Sequence, residues 1–123
     1  MRRALILAAA APLLIAQGLP RPQCAYGDGL AQVRAVEREA AAAVPGISEG
    51  RARGERALTA LSGAATIFQS CGCPRLAELT QEAMIVAQGA PSEASIARLM
   101  QVSASIRFRT QLTREFSERQ GCQ

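Results

Sequence analysis

Ser70-Cys71-Gly72-Cys73-Pro74 lies between two segments of helical periodicity and carries two of the chain's four cysteines. Gly72 suits the left-handed conformation that ends a helix, and Pro74 suits the first position of the next one. The five residues read as helix stop, tight turn and helix start. Helices joined so tightly lie antiparallel. The other cysteines, Cys24 and Cys122, stand near the two ends of the predicted mature chain.

On either side of this turn the apolar residues recur every three or four positions, as on one face of a helix. Before it, Leu58, Leu61, Ala65 and Phe68 form such a stripe, and Ser62-Gly63-Ala64-Ala65 offers a surface that a neighbouring helix can approach closely. This second helix starts near Ser48, but Gly50 to Arg56 holds two glycines and three arginines and makes a weak first segment. After the turn, Leu76, Leu79, Ala83, Val86 and Ala87 define a third helix from Pro74 to Gln88, with Gly89 as its stop.

The first helix runs from Gly29 to Val44 on Leu30, Val33, Val36, Ala40 and Val44, with Asp28 as its N-cap and Pro45-Gly46 as its end. Arg34, Glu37, Arg38 and Glu39 lie largely off that stripe and read as a solvated face. The fourth helix runs from Glu93 to Arg119 behind a Ser92 cap. It shows two apolar stripes, Ile96-Leu99-Val102-Ile106 and Phe108-Leu112-Phe116, which are out of line across Ser103-Ala104-Ser105. No segment alternates with period two over a strand's length. The fold class is therefore all-α, a small four-helix up-down bundle stapled by two disulfides.

In that topology the start of the first helix, both sides of the turn and the end of the fourth helix share one end of the bundle. The four cysteines occupy those four places. We read one bridge from Cys24 to the turn and one from Cys122 to the turn. The spacing leaves open which of Cys71 and Cys73 takes which partner. A Cys71–Cys73 bridge would close a strained small ring. One length conflicts with a simple bundle: a straight fourth helix of about 40 Å beside a third of about 23 Å overshoots the turn by roughly 17 Å. The fourth helix must therefore bend, break or cross obliquely for Cys122 to reach the turn, and Ser103–Ser105 is the candidate place for the change of direction.

Residues 1–18 read as a secretory signal peptide. Arg2 and Arg3 precede an uncharged apolar run from Ala4 to Ala16, about 13 residues long and short of the roughly 20 that span a bilayer. Ala16-Gln17-Gly18 fits the small-x-small cleavage pattern. Residues 19–28, with Pro20 and Pro22, form an extended lead-in, and residues 29–123 form the bundle domain. Export to the periplasm or beyond places the chain where disulfides persist.

All 14 basic residues are arginine, and lysine and histidine are absent. Without histidine the chain lacks the commonest general base, the commonest metal ligand and the usual haem ligand. Loss of Arg2 and Arg3 leaves a mature net charge of +2, which is no nucleic-acid footprint. No nucleophilic elbow or phosphate-binding glycine loop is present. Cys-x-Cys lacks the paired Cys-x-x-Cys spacing of zinc knuckles, and no metal or other cofactor is expected.

The leading expectation is an exported, non-catalytic binding or accessory protein with a protein partner. Its candidate surface is Arg107, Phe108, Arg109, Leu112, Arg114 and Phe116, where charged and aromatic residues interleave in the part of the fourth helix that would project. A membrane surface is a less favoured partner for such a basic amphipathic segment. Two alternatives are a thiol redox protein using Cys71-Gly72-Cys73 and a carrier of a small apolar ligand in the core.

Overall fold

The computed structural model describes residues 24–123; the leader assigned to 1–18 and most of the lead-in lie outside them. The described residues form α1 (Tyr26–Ala41), α2 (Ile47–Ser70), α3 (Pro74–Ala87) and α4 (Ile96–Gln120), with a short 3-10 turn at Ala90–Ser92. α1 and α3 each pack between α2 and α4, which meet weakly across the diagonal. This is the expected all-α, up-down four-helix bundle.

The turn after α2 forms as its sequence directs. Gly72 has φ 74°, the Cys73 N–H donates to Phe68 O at 2.8 Å and the Gly72 N–H donates to Gln69 O at 3.1 Å. These two bonds satisfy carbonyls that the helix end would leave bare. Pro74 then opens α3, where its missing N–H costs nothing.

Disulfides join Cys24 to Cys71 and Cys73 to Cys122, with Cα–Cα distances of 5.1 and 4.8 Å. Each closes the open mouth of one helical hairpin, α1–α2 or α3–α4, and Gly72 alone separates the two closures. The chain end is held a second way, since the Arg75 N–H donates to Gln123 O at 3.1 Å.

α4 does not break at Ser103–Ser105; it is one continuous helix from Ile96 to Gln120. The expected overshoot rested on a fourth helix starting beside the end of the third. Instead the chain after α3 continues towards the N-terminal end of α2. A Cβ placed on Gly54 would meet Ala90 Cβ at 2.5 Å, and one on Gly50 would meet Leu99 Cδ1 at 2.9 Å. The Arg51 Nε donates to Glu93 O at 2.6 Å between these levels. α4 thus begins farther from the disulfides than α3 ends. The bundle pairs two long helices, α2 and α4, of about 36–38 Å with two short ones, α1 and α3, of about 21–24 Å.

Three local expectations change as well. α1 starts at Tyr26, so Asp28 lies in its first turn and caps nothing. The chain becomes helical almost directly after the Cys24 bridge, so residues 26–28, expected in an extended lead-in, belong to α1. α4 is capped by Ser95, whose Oγ accepts from the Arg98 N–H at 3.3 Å, while Ser92 belongs to the 3-10 turn. Finally, the start of α2 is a packing surface. Its glycines admit the α3–α4 connection, and its arginines hold both connections: Arg53 Nη1 donates to Ala42 O at 3.0 Å, as Arg51 does to Glu93.

Gly54 and Gly27 therefore separate helix propensity from fit. Ala in place of Gly gains about 1 kcal/mol in a helix interior and somewhat less near a helix start. Gly27→Ala meets nothing within 4 Å and is expected to raise stability by a few tenths of a kcal/mol. Gly54→Ala meets a rigid Ala90 Cβ and is expected to lower it by about 1–3 kcal/mol. Urea midpoints of the two variants check this; a stabilised Gly54→Ala protein would mean that the 3-10 turn does not sit on α2.

Two clusters make up the core. Val33, Ala64, Phe68, Cys73, Leu76 and Ala77 lie near the disulfides, and Val36, Ala57, Leu61, Ala83, Ala87 and Ile106 lie farther along. Hydroxyls share the interior: Thr80, Thr110 and Thr113 are fully buried. Each donates back to its own helix, at 2.7 Å to Leu76 O, 2.8 Å to Ile106 O and 3.0 Å to Arg109 O. Such local bonds let a polar side chain enter the core without a partner on another helix.

Candidate partner-binding surface

The short α1 beside the long α4 leaves about 13 Å of α4 flanked only by an extended connection. Ala42 opens that connection with extended backbone, φ −77° and ψ 149°. The exposed flank of α4 carries Ile96, Met100, Ala104 and Phe108, one every fourth residue. Met100 is 58% exposed and Phe108 56%, both high for large apolar side chains. Met100, Ala104 and Phe108, together with Ala40–Val44, line an open groove of about 320 Å³, with Arg107 and Gln111 at its edge; Ile96 lies outside it.

A basic depression of about 330 Å³ adjoins the groove through Arg107, and Arg34 and Arg38 of α1 and Arg114 of α4 also line it. Arg107, Arg34 and Arg38 make no ion pair among the described residues. Glu37 is the acidic side chain in this depression, and Arg114 engages it through Nε at 2.8 Å and Nη2 at 3.1 Å. Hydrogen bonds to Glu37 first, then to Glu118, hold the Arg114 guanidinium above its ordinary pKa. The three remaining cations thus face solvent beside an apolar wall.

The six expected surface residues divide. Arg107 and Phe108 lie on the groove. Arg109 turns to α3, 3.4 Å from Glu82, and Arg114 ties α4 to α1. Leu112 is half-buried, and Phe116 packs against the cluster around Phe68. The segment does not project from the bundle; it lies along it. Its physical basis is the row 96-100-104-108-112-116, which winds about 40° around the helix at each four-residue step. The N-terminal members stay wet, while the C-terminal members turn towards the neighbouring helices. The same spacing in the sequence would have joined Ile96, Met100 and Ala104 to Phe108. Arg34 and Arg38 were legible only as a solvated face, because their proximity to Arg107 depends on the fold.

A wider, shallow depression of about 710 Å³ lies on the α1–α2 face, lined by Gln32, Ala52, Glu55, Arg56, Thr59, Ala60 and Gly63, and the interior of the bundle is closed. A gap between Val36, Gly50, Gly54, Leu99 and Ile106 measures about 20 Å³. That is room for about one water, against the roughly 300 Å³ of a small-molecule site. Cys71 and Cys73 are each bound to a different distant cysteine, and no free thiol remains.

No family model matches the chain, and neither a curated protein nor a solved structure shows significant similarity to it.

Proposed function

We propose that this chain is an exported, non-catalytic binding or accessory protein that captures a protein partner on the groove beside α4. The observation that carries the reading is the exposed row Ile96-Met100-Ala104-Phe108 next to Arg107, Arg34 and Arg38. An apolar strip edged by charge is the ordinary anatomy of a protein interface, with an apolar centre and a polar rim. Two structural disulfides and the leader pattern of residues 1–18 support action in an oxidising compartment. Among the described residues no helix is long and apolar enough to cross a membrane.

A photocrosslinking residue at Ala104, in the groove, is expected to yield a discrete protein adduct in the native compartment. The same residue at Gln81, exposed on α3 and outside the groove, is expected to yield none. Equal labelling from both positions, or no adduct from Ala104, would contradict the proposal.

A further inference from the structure

We infer that the groove's partner presents an amphipathic helix with acidic residues along one edge. The inference rests on the binding role proposed above and adds the chemistry of the occupant. Three observations carry it.

The first is shape. The groove is open along its length, so an occupant is covered on one side only. A small molecule held that way would leave most of its surface in water, whereas pocket ligands are buried over most of theirs. A helix loses little, because it needs to lay down only its apolar face. The α4 wall of the groove, from Met100 to Gln111, is about 17 Å long, which matches roughly three turns of a docked helix. Ala40 to Ala43 and Ala104 are small enough for its backbone to come close.

The second is charge. Arg34, Arg38 and Arg107 lack an acidic partner among the described residues, and the nearby Glu37 is engaged by Arg114. The uncompensated sign is positive, so the complementary edge carries carboxylates. Arginine favours them further, because its planar fork can hold a carboxylate through two hydrogen bonds.

The third weighs against self-association. An isologous pair uses the same patch on both copies. Pairing through this face would crowd six arginines of one kind around one apolar strip, and like charges brought together across an interface disfavour it.

The test uses the disulfide-intact protein and a fluorescent synthetic helical peptide. The peptide has leucines at i, i+3 and i+7 and glutamates along one edge. Saturable binding is expected. Met100→Ser with Phe108→Ser should weaken it by about tenfold or more, as two apolar anchors leave the interface. Arg34→Ser, Arg38→Ser and Arg107→Ser together should weaken it by about tenfold, and added salt should act in the same direction. All five positions are exposed, so circular dichroism of the variants should match the parent.

Equal binding of a peptide with lysines on that edge would overturn the inference. So would indifference to both sets of substitutions, a dimer abolished by them, or capture by phosphatidylglycerol vesicles with no peptide binding. An adduct at Ala104 without peptide binding would remove the acidic helix and leave the binding role standing. Failure of both experiments would remove both.

Discussion

Replacing Cys73 and Cys122 together with alanine is expected to lower the unfolding free energy by about 4 kcal/mol. The bridge spans 49 residues of sequence, and closing a loop of that length removes about that much chain entropy from the unfolded state. The Cys24–Cys71 bridge spans 47 residues and is expected to contribute nearly the same. The two loops follow one another along the chain without overlapping, so their contributions should be close to additive. The Cys73 pair should nevertheless be the more costly to lose. Cys73 is fully buried in the cluster with Phe68 and Leu76, whereas Cys24 is exposed. Each single-bridge variant should melt about 15–30 °C below the parent, and the chain lacking both should be largely unfolded at 37 °C. Urea denaturation followed by circular dichroism reads these values. A loss below about 1 kcal/mol for either bridge would show that the unfolded chain is constrained by something else.

Phe68→Ala is expected to cost about 3–5 kcal/mol, the range for deleting a large aromatic from a core. Phe68 is fully buried and meets Tyr26 edge-on, with ring centroids 5.9 Å apart. Its seat depends on Gly29, where a Cβ would lie 2.9 Å from the ring. The ring therefore locks α1 against the end of α2 beside the Cys24–Cys71 bridge. Phe68→Leu keeps most of the volume and should cost less than half as much. The urea midpoint of Phe68→Ala should fall with little change in slope, because the native fold remains. A midpoint within experimental error of the parent would mean that α1 does not close over this ring.

These residues also show how far the fold was legible before the structure. The turn at Ser70–Pro74 was, because its chemistry is local: Gly72 supplies the positive φ and Pro74 supplies the helix start. The bundle followed from four stripes and short connections. The pairing of Cys71 with Cys24, and of Cys73 with Cys122, was not legible. One residue separates the two turn cysteines, and only the directions of α1 and α4 decide between them.

The continuity of α4 was hidden for a different reason. A helix length is readable from periodicity, but where a helix begins relative to its neighbours depends on the connection. Here Gly50 and Gly54 let that connection sink onto α2. In the sequence the same glycines signal weakness, because their low propensity is visible and the close approach they permit is not. The core face of α4 was hidden by hydroxyls. Thr110, Thr113 and Ser117 occupy its buried positions, and the hydrophobic stripe visible in the sequence is that of Phe108.

For the surface, half of the determinants lay in the sequence. Arg107 and Phe108 stood out as charge beside an aromatic. Arg34, Arg38 and the Ala40–Val44 wall join them only because α1 stops short of α4's full length. The proposed binding surface thus depends on unequal helices, whose two connections are held to α2 by Arg51 and Arg53.

The central claim is that both chain ends are fastened to the corner between α2 and α3, one to each side of Gly72. Peptide mapping of the unreduced protein tests it most directly, with electron-transfer fragmentation between Cys71 and Cys73 to assign each partner. The account predicts Cys24 linked to Cys71, Cys73 linked to Cys122, and no free thiol. A Cys71–Cys73 bridge, crossed partners or a free terminal cysteine would contradict it.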